Sequence, residues 1–313
     1  MRTGFVLMWS SGFVGAALAA GTAGTATTLM WRCLVAAALI GGWWWLTRRR
    51  ALGLREVGFQ VVIGLLSQCV YLSGIFWSVD LGVPSGTAAL IAALQPIVAT
   101  VLGQLVLGEH ASKAQWLGLA IGLGGVALVV GGDLSGGNAP AFAYALPVLA
   151  MLGLVAATLL ERRSGTTVEL ADSPPAGPPP PSTEALRAQS NLMIQCLTSA
   201  VVFTAVAAAS GQLVPPASGS FWFAIGWVVL LSTFGGYGFY WLNLRRSSVT
   251  SLSSLLYLTP PTTMLAAFLL FGETLDMRGL LGVAVCALAV FLVLRKPRPS
   301  GKVPPEPARC PAS

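Results

Sequence analysis

Long apolar runs separated by short polar breaks occupy nearly the whole chain. A helix needs about 20 mostly apolar residues to cross the hydrocarbon core of a bilayer. Ten runs meet that need, at roughly 4–20, 25–46, 57–78, 84–107, 114–132, 139–160, 190–210, 219–242, 249–271 and 277–294. They predict an all-α polytopic membrane protein with ten transmembrane helices. The first run also has signal-peptide features, because Arg2 precedes an apolar stretch with small residues at Ala16–Ala20. Cleavage there would leave nine spans and unpair the repeat described next.

Two runs end alike: "ALQPIVATVLGQLVLGE" (Ala93–Glu109) and "YLTPPTTMLAAFLLFGE" (Tyr257–Glu273). A shift of 164 residues puts Pro96 on Pro260 and Gly108-Glu109 on Gly272-Glu273. The same shift pairs Gly74 with Gly238, Trp77 with Trp241, Gly118 with Gly282 and Ala120 with Ala284. This is a sequence duplication. Five spans per copy is an odd number, so the second copy enters the membrane from the opposite side. The expected fold is two inverted five-helix repeats, an architecture of secondary transporters that rock about a midplane site.

We divide the chain into a first repeat at 1–160, a Pro-rich cytoplasmic linker at 161–189, a second repeat at 190–294 and a basic cytoplasmic tail at 295–313. By topology the span at 139–160 belongs to the second repeat, so the repeat boundary itself lies near 135. In the linker, "SPPAGPPPPS" (Ser173–Ser182) reads as a stiff polyproline spacer, with an SH3-type ligand as the alternative.

Charge sharpens the picture. Only 9% of residues are charged and 55% are hydrophobic, against about 25% charged in soluble domains. The net charge of +7 does not indicate nucleic acid, because the cations sit in loop clusters instead of on one face. With the N-terminus in the cytoplasm, sixteen of the 18 Lys and Arg fall inside. Arg278 falls outside and Arg32 within a span. The positive-inside rule then predicts a multi-pass protein of the cell (plasma or inner) membrane with both termini cytoplasmic. The copies have diverged accordingly. Arg48, Arg49, Arg50 and Arg55 follow span 2, whereas no cation follows span 7.

The five cysteines are not closely spaced and His110 is the sole histidine, so neither a metal site nor a cofactor is expected. There is no HExxH, GxSxG or Walker loop to support an enzyme or ATP-driven transport.

Polar groups within hydrocarbon mark functional candidates. Gln68, Tyr71, Gln95, Tyr237, Tyr240, Trp241 and Tyr257 are the candidate lining of a substrate cavity; bonding to neighbouring helices is the alternative. Pro96, Pro260 and Pro261 are expected to kink their helices and free a carbonyl about one turn earlier. Arg32 is either an anchor for an anionic group or a snorkelling helix contact. Glu109 and Glu273 sit at helix ends, where a carboxylate complements the start of the following helix. Trp43–Trp45 beside Arg48–Arg50 reads as an interfacial belt. Gly118 and Gly122 form a GxxxG that suits close packing inside the bundle or a homodimer seam.

"LGEHASKAQWLGLAIGLGGVALVV" and "FGETLDMRGLLGVAVCALAVFLVL" resemble the end of the EamA-type repeat of the drug/metabolite transporter superfamily. "MWSSGFVGA" in span 1 and "WRCLVAAALI" in span 2 also resemble it, so the likeness covers residues 4–294. The long Pro-rich loop departs from that pattern. The resemblance implies ten-helix carriers, mostly exporters of small metabolites, amino acids or drugs. It also implies a central cavity lined by helices 1, 3, 4, 6, 8 and 9. The expected function is a secondary transporter, an exporter of a small neutral or zwitterionic organic solute by alternating access. Its expected partners are that small molecule and the lipid bilayer. A non-transporting membrane scaffold or sensor is the alternative, and an intramembrane enzyme a more distant one.

Overall fold

Residues 2–46, 53–108, 113–136, 139–164, 181–236, 258–273 and 277–294 are described by a computed structural model. Every regular element among them is helical. Helices α1 (Arg2–Ala19) and α2 (Thr25–Leu46) are the first two spans. The third runs as α3 (Leu54–Gly64), a π-helical segment (Leu65–Val70) and α4 (Tyr71–Asp80). The fourth is α5 (Ser85–Ala92) followed by α6 (Gln95–Leu107), and α7 (Lys113–Gly136) is the fifth. A 3₁₀ turn (Ala141–Tyr144) leads into α8 (Ala145–Arg163), and α9 covers Pro181–Ala209. Next come α10 (Gly219–Trp227) with a second π segment (Val228–Gly235), then α11 (Thr259–Phe271) and α12 (Met277–Leu294). Six of these stretches are long and apolar enough to cross a membrane, and shorter apolar helices occupy the other four expected positions.

Helix α9 begins eight residues before the expected end of the linker. Proline is at home in a first helical turn, because its fixed φ suits the helix and its missing N–H would have no partner there. Span 4 is broken rather than merely kinked. Ala93 and Leu94 separate its two helices, and the Leu94 carbonyl accepts from both Ile97 N and Val98 N at 3.0 Å.

The duplication is visible in the backbone. Shifted by 164 residues, α6 falls on α11 from end to end, with Pro96 and Pro260 in the opening turns. Each helix closes on a left-handed glycine, Gly108 at φ 70° and Gly272 at φ 69°. The repeated Gly of the Gly-Glu pair is therefore a helix terminator, since only glycine enters that region without a steric cost. Under the same shift the first π segment falls within the second, which is one residue longer at each end.

The packing is inverted relative to a soluble protein. Leu105, Val201 and Leu269 face outward at 68%, 69% and 70% exposure. Ser10, Gln60, Ser85, Ser199 and Thr263 are buried within the bundle. Gln195 Nε2 donates to Gln60 Oε1 at 2.8 Å, joining α9 to α3. In lipid, where apolar burial between helices gains little, small residues and such polar contacts hold helices together.

Helices α7 and α12 form a tight seam within the chain. A Cβ on Gly125 would lie 2.8 Å from the Gly282 carbonyl oxygen, and one on Gly282 only 2.6 Å from that of Gly125. Cys286 Sγ donates to the Gly122 carbonyl at 3.5 Å. Gly122 and Cys286 are mates under the 164-residue shift, so this contact lies on the pseudo-twofold axis. The glycine contact falls at Gly122 and Gly125, one turn past the start of the GxxxG, and it is intramolecular. Of the expected belt, Trp43 and Trp45 are exposed, whereas Trp44 Nε1 donates to Ser190 Oγ at 3.1 Å.

Candidate functional site: a cavity between the repeats

A cavity of about 120 Å³ opens where the two π segments approach each other. The first segment contributes Ser67 and Gln68, and the second contributes Ser232 and Thr233. Gln68 and Ser232 are mates under the 164-residue shift, so the cavity straddles the relation between the repeats. A π turn inserts one residue into a helix, a feature frequent at functional sites. The wide register shows in Thr233 Oγ1, which donates to Val228 O five residues earlier at 3.4 Å.

Helix α1 closes one side with Trp9 and Gly12. A Cβ on Gly12 would stand 2.7 Å from Ser232 Oγ, so the glycine lets α1 approach the second π segment. Trp227 Nε1 fixes that approach by donating to the Ser11 carbonyl at 3.1 Å. Helix α4 supplies Tyr71 and Phe76, and α2 supplies Arg32. The Arg32 guanidinium lies 5.2 Å from the centroid of the Phe76 ring, and the residue is only 9% exposed. A cation over an aromatic face is held by the ring quadrupole. Gln68 is clamped from α9: its Oε1 accepts from Ser199 Oγ at 3.1 Å and its Nε2 reaches Cys196 Sγ at 3.9 Å.

Arg32, Gln68 and Tyr71 are therefore brought to one cavity. Gln68 both bonds a neighbouring helix and faces the space. Gln95 lies elsewhere, half-buried at the start of α6. Tyr237, Tyr240, Trp241, Tyr257 and Glu109 lie outside the described residues. Pro260 and Pro261 sit in the first turn of α11. Glu273 directly follows the glycine that ends α11, and it reaches the start of a helix in the other repeat. Its carboxylate accepts from Ser85 N at 3.4 Å and Ser85 Oγ at 3.2 Å, at the start of α5 in the other repeat. A second, largely apolar cavity of about 290 Å³ adjoins it, between Pro84, Thr87, Met264 and Phe268. Among the described residues no group of three His, Cys, Asp or Glu is placed to hold a metal ion.

Sequence reasoning passed over Trp9, Ser67, Ser232 and Thr233. The signal for Ser232 was present: it is the 164-residue mate of Gln68.

The profile of the EamA-like transporter family matches residues 3–131 and 183–295. The chain is a member of the EamA-like transporter family. It is thus an all-α, multi-pass membrane transporter built of two inverted five-helix repeats, and not an enzyme. It is 29% identical over 241 residues to the inner membrane transporter YedA of Escherichia coli K12, covering 77% of this chain and 72% of the relative. It is 26% identical over 299 residues to a protein of Streptantibioticus cattleyicolor named "Probable terminal-alkyne amino-acid exporter", covering 93% of this chain and 91% of that one. A solved crystal structure superposes with a TM-score of 0.58 over 94% of this transporter and 95% of the other chain. At 17% identity that likeness is one of fold alone.

Proposed function

We propose that this transporter exports a small organic metabolite from the cell by alternating access, with the cavity between the π segments as its binding chamber. The carrying observation is that mate residues Gln68 and Ser232, one from each repeat, line the same space. Rocking of one repeat against the other then opens that space to either side in turn. The orientation with both termini cytoplasmic, in the inner membrane, rests on the Lys and Arg distribution. An amino-acid-like solute belongs to the class, in keeping with the name of the Streptantibioticus relative. Hydroxyl, amide and aromatic groups suit such a solute better than a metal ion, which wants several anionic oxygens.

The test is flux in proteoliposomes loaded with a mixture of small neutral, zwitterionic and acidic metabolites. Protein-dependent efflux of at least one, saturable and blocked by its own excess, is expected. Folded protein that moves none of them, while binding some, would favour a membrane sensor instead.

A further inference from the structure

We propose that the solute carries a carboxylate and that Arg32 receives it. This rests on the cavity being the substrate chamber and names what distinguishes one end of it.

A buried cation in a membrane helix is costly, and where found it usually marks a site that uses it. Arg32 is buried on α2 and contributes to the cavity wall. It is the one charged residue among the described lining. The ring of Phe76 packs against the guanidinium at 5.2 Å, which helps to hold the planar group at the cavity wall. An arginine fork matches a carboxylate with two parallel N–H donors.

The rest of the wall fits the remainder of such a molecule. Ser67, Gln68 and Ser232 offer oxygens within the same space, and Trp9, Tyr71 and Phe76 offer apolar surface. The asymmetry is informative. The 164-residue mate of Arg32 is Cys196, so the cation occurs on one side of the pseudo-twofold only. A symmetric frame with one charged end gives the solute a single orientation. Size narrows the class further. A cavity of about 150 Å³ holds the six heavy atoms of a benzene ring, so about 120 Å³ suits a solute of roughly five or six heavy atoms. Short aliphatic acids and small α-amino acids are of that size.

The probes are matched acid and amide pairs: butyrate with butyramide, and L-alanine with L-alaninamide. Each is titrated to about 10 mM against the purified full-length protein, with its thermal midpoint as the readout. In the wild type, at least one acid should raise the midpoint at concentrations about tenfold below its amide. In Arg32→Gln the acid and amide should come within about threefold of each other, and Arg32→Lys should fall between. Equal response to acid and amide in the wild type, or none to either acid, overturns the proposal without any variant needing to fold. So does an acid preference that survives in Arg32→Gln. Saturable flux of neutral solutes by wild-type proteoliposomes, with no acid moved, would sink the carboxylate class and leave the transport reading standing. Loss of all flux would sink the transport reading itself.

Discussion

The α7/α12 seam and the cavity are both places where the two repeats meet, and they have evolved in opposite ways. At the seam the mates Gly122 and Cys286 touch each other, and Gly125 and Gly282 leave the backbones in near contact. Both partners there are small. At the cavity the backbone stays symmetric, with π segments at matching positions. The side chains do not: Gln68 pairs with Ser232 in the alignment, and Arg32 with Cys196. Duplicated packing keeps its residues small because two backbones must fit. A duplicated chamber is free to differentiate, because a solute is asymmetric.

The largest expected effect comes from breaking the seam. In Gly125→Leu the new Cβ alone would stand 2.8 Å from the Gly282 oxygen and 2.9 Å from Cys286 N. Backbone atoms cannot yield as a flexible side chain does. The strain should exceed the 1–3 kcal/mol usual for overpacking. Detergent-extracted Gly125→Leu should elute as aggregate or be nearly absent, and a monodisperse peak at wild-type yield would refute the seam's role.

Altering the cavity should do the reverse. Tyr71→Ala should fold normally and weaken solute binding several-fold, the effect of losing at least about 1 kcal/mol at a pocket aromatic. A titration of the solute against both proteins checks it. Unchanged affinity would show that Tyr71 faces the cavity without contacting its occupant.

Glu273→Gln should have the smallest effect. The carboxylate holds the start of α5 through Ser85 at 3.2–3.4 Å, rather long for a charge-assisted bond. About 1 kcal/mol is at stake, seen as a thermal midpoint lower by a few degrees at undiminished flux per folded molecule. Abolished flux at normal stability would instead make Glu273 a coupling residue.

The spans and the duplication were legible because their signals are local. Apolar runs have the length of a bilayer, and Pro96, Gly108 and their mates punctuate the chain where backbone geometry demands it. Arg32 was visible as an oddity, but no local pattern said whether it met lipid headgroups, another helix or a cavity. That depends on α2 and α4 packing so that Phe76 lies against it. The π segments have no sequence signature of their own, so Ser67 and Thr233 were invisible. Glu273 pointed to a helix start, but its partner Ser85 lies 188 residues away in sequence. Gln95 was drawn in by its neighbouring proline, whereas the break at Ala93–Leu94 turns it into the first residue of α6.

The central claim is that the cavity between the π segments opens to both sides of the membrane. Its most direct test is labelling of Ser232→Cys and Ser67→Cys by the impermeant sulfonate reagent MTSES, in right-side-out and in inverted vesicles. Wild type gives the background, and Leu269→Cys provides a lipid-facing control. Alternating access predicts that both cavity cysteines react from each side while the control reacts from neither. Reaction from one side only, unchanged by added solute, would contradict it.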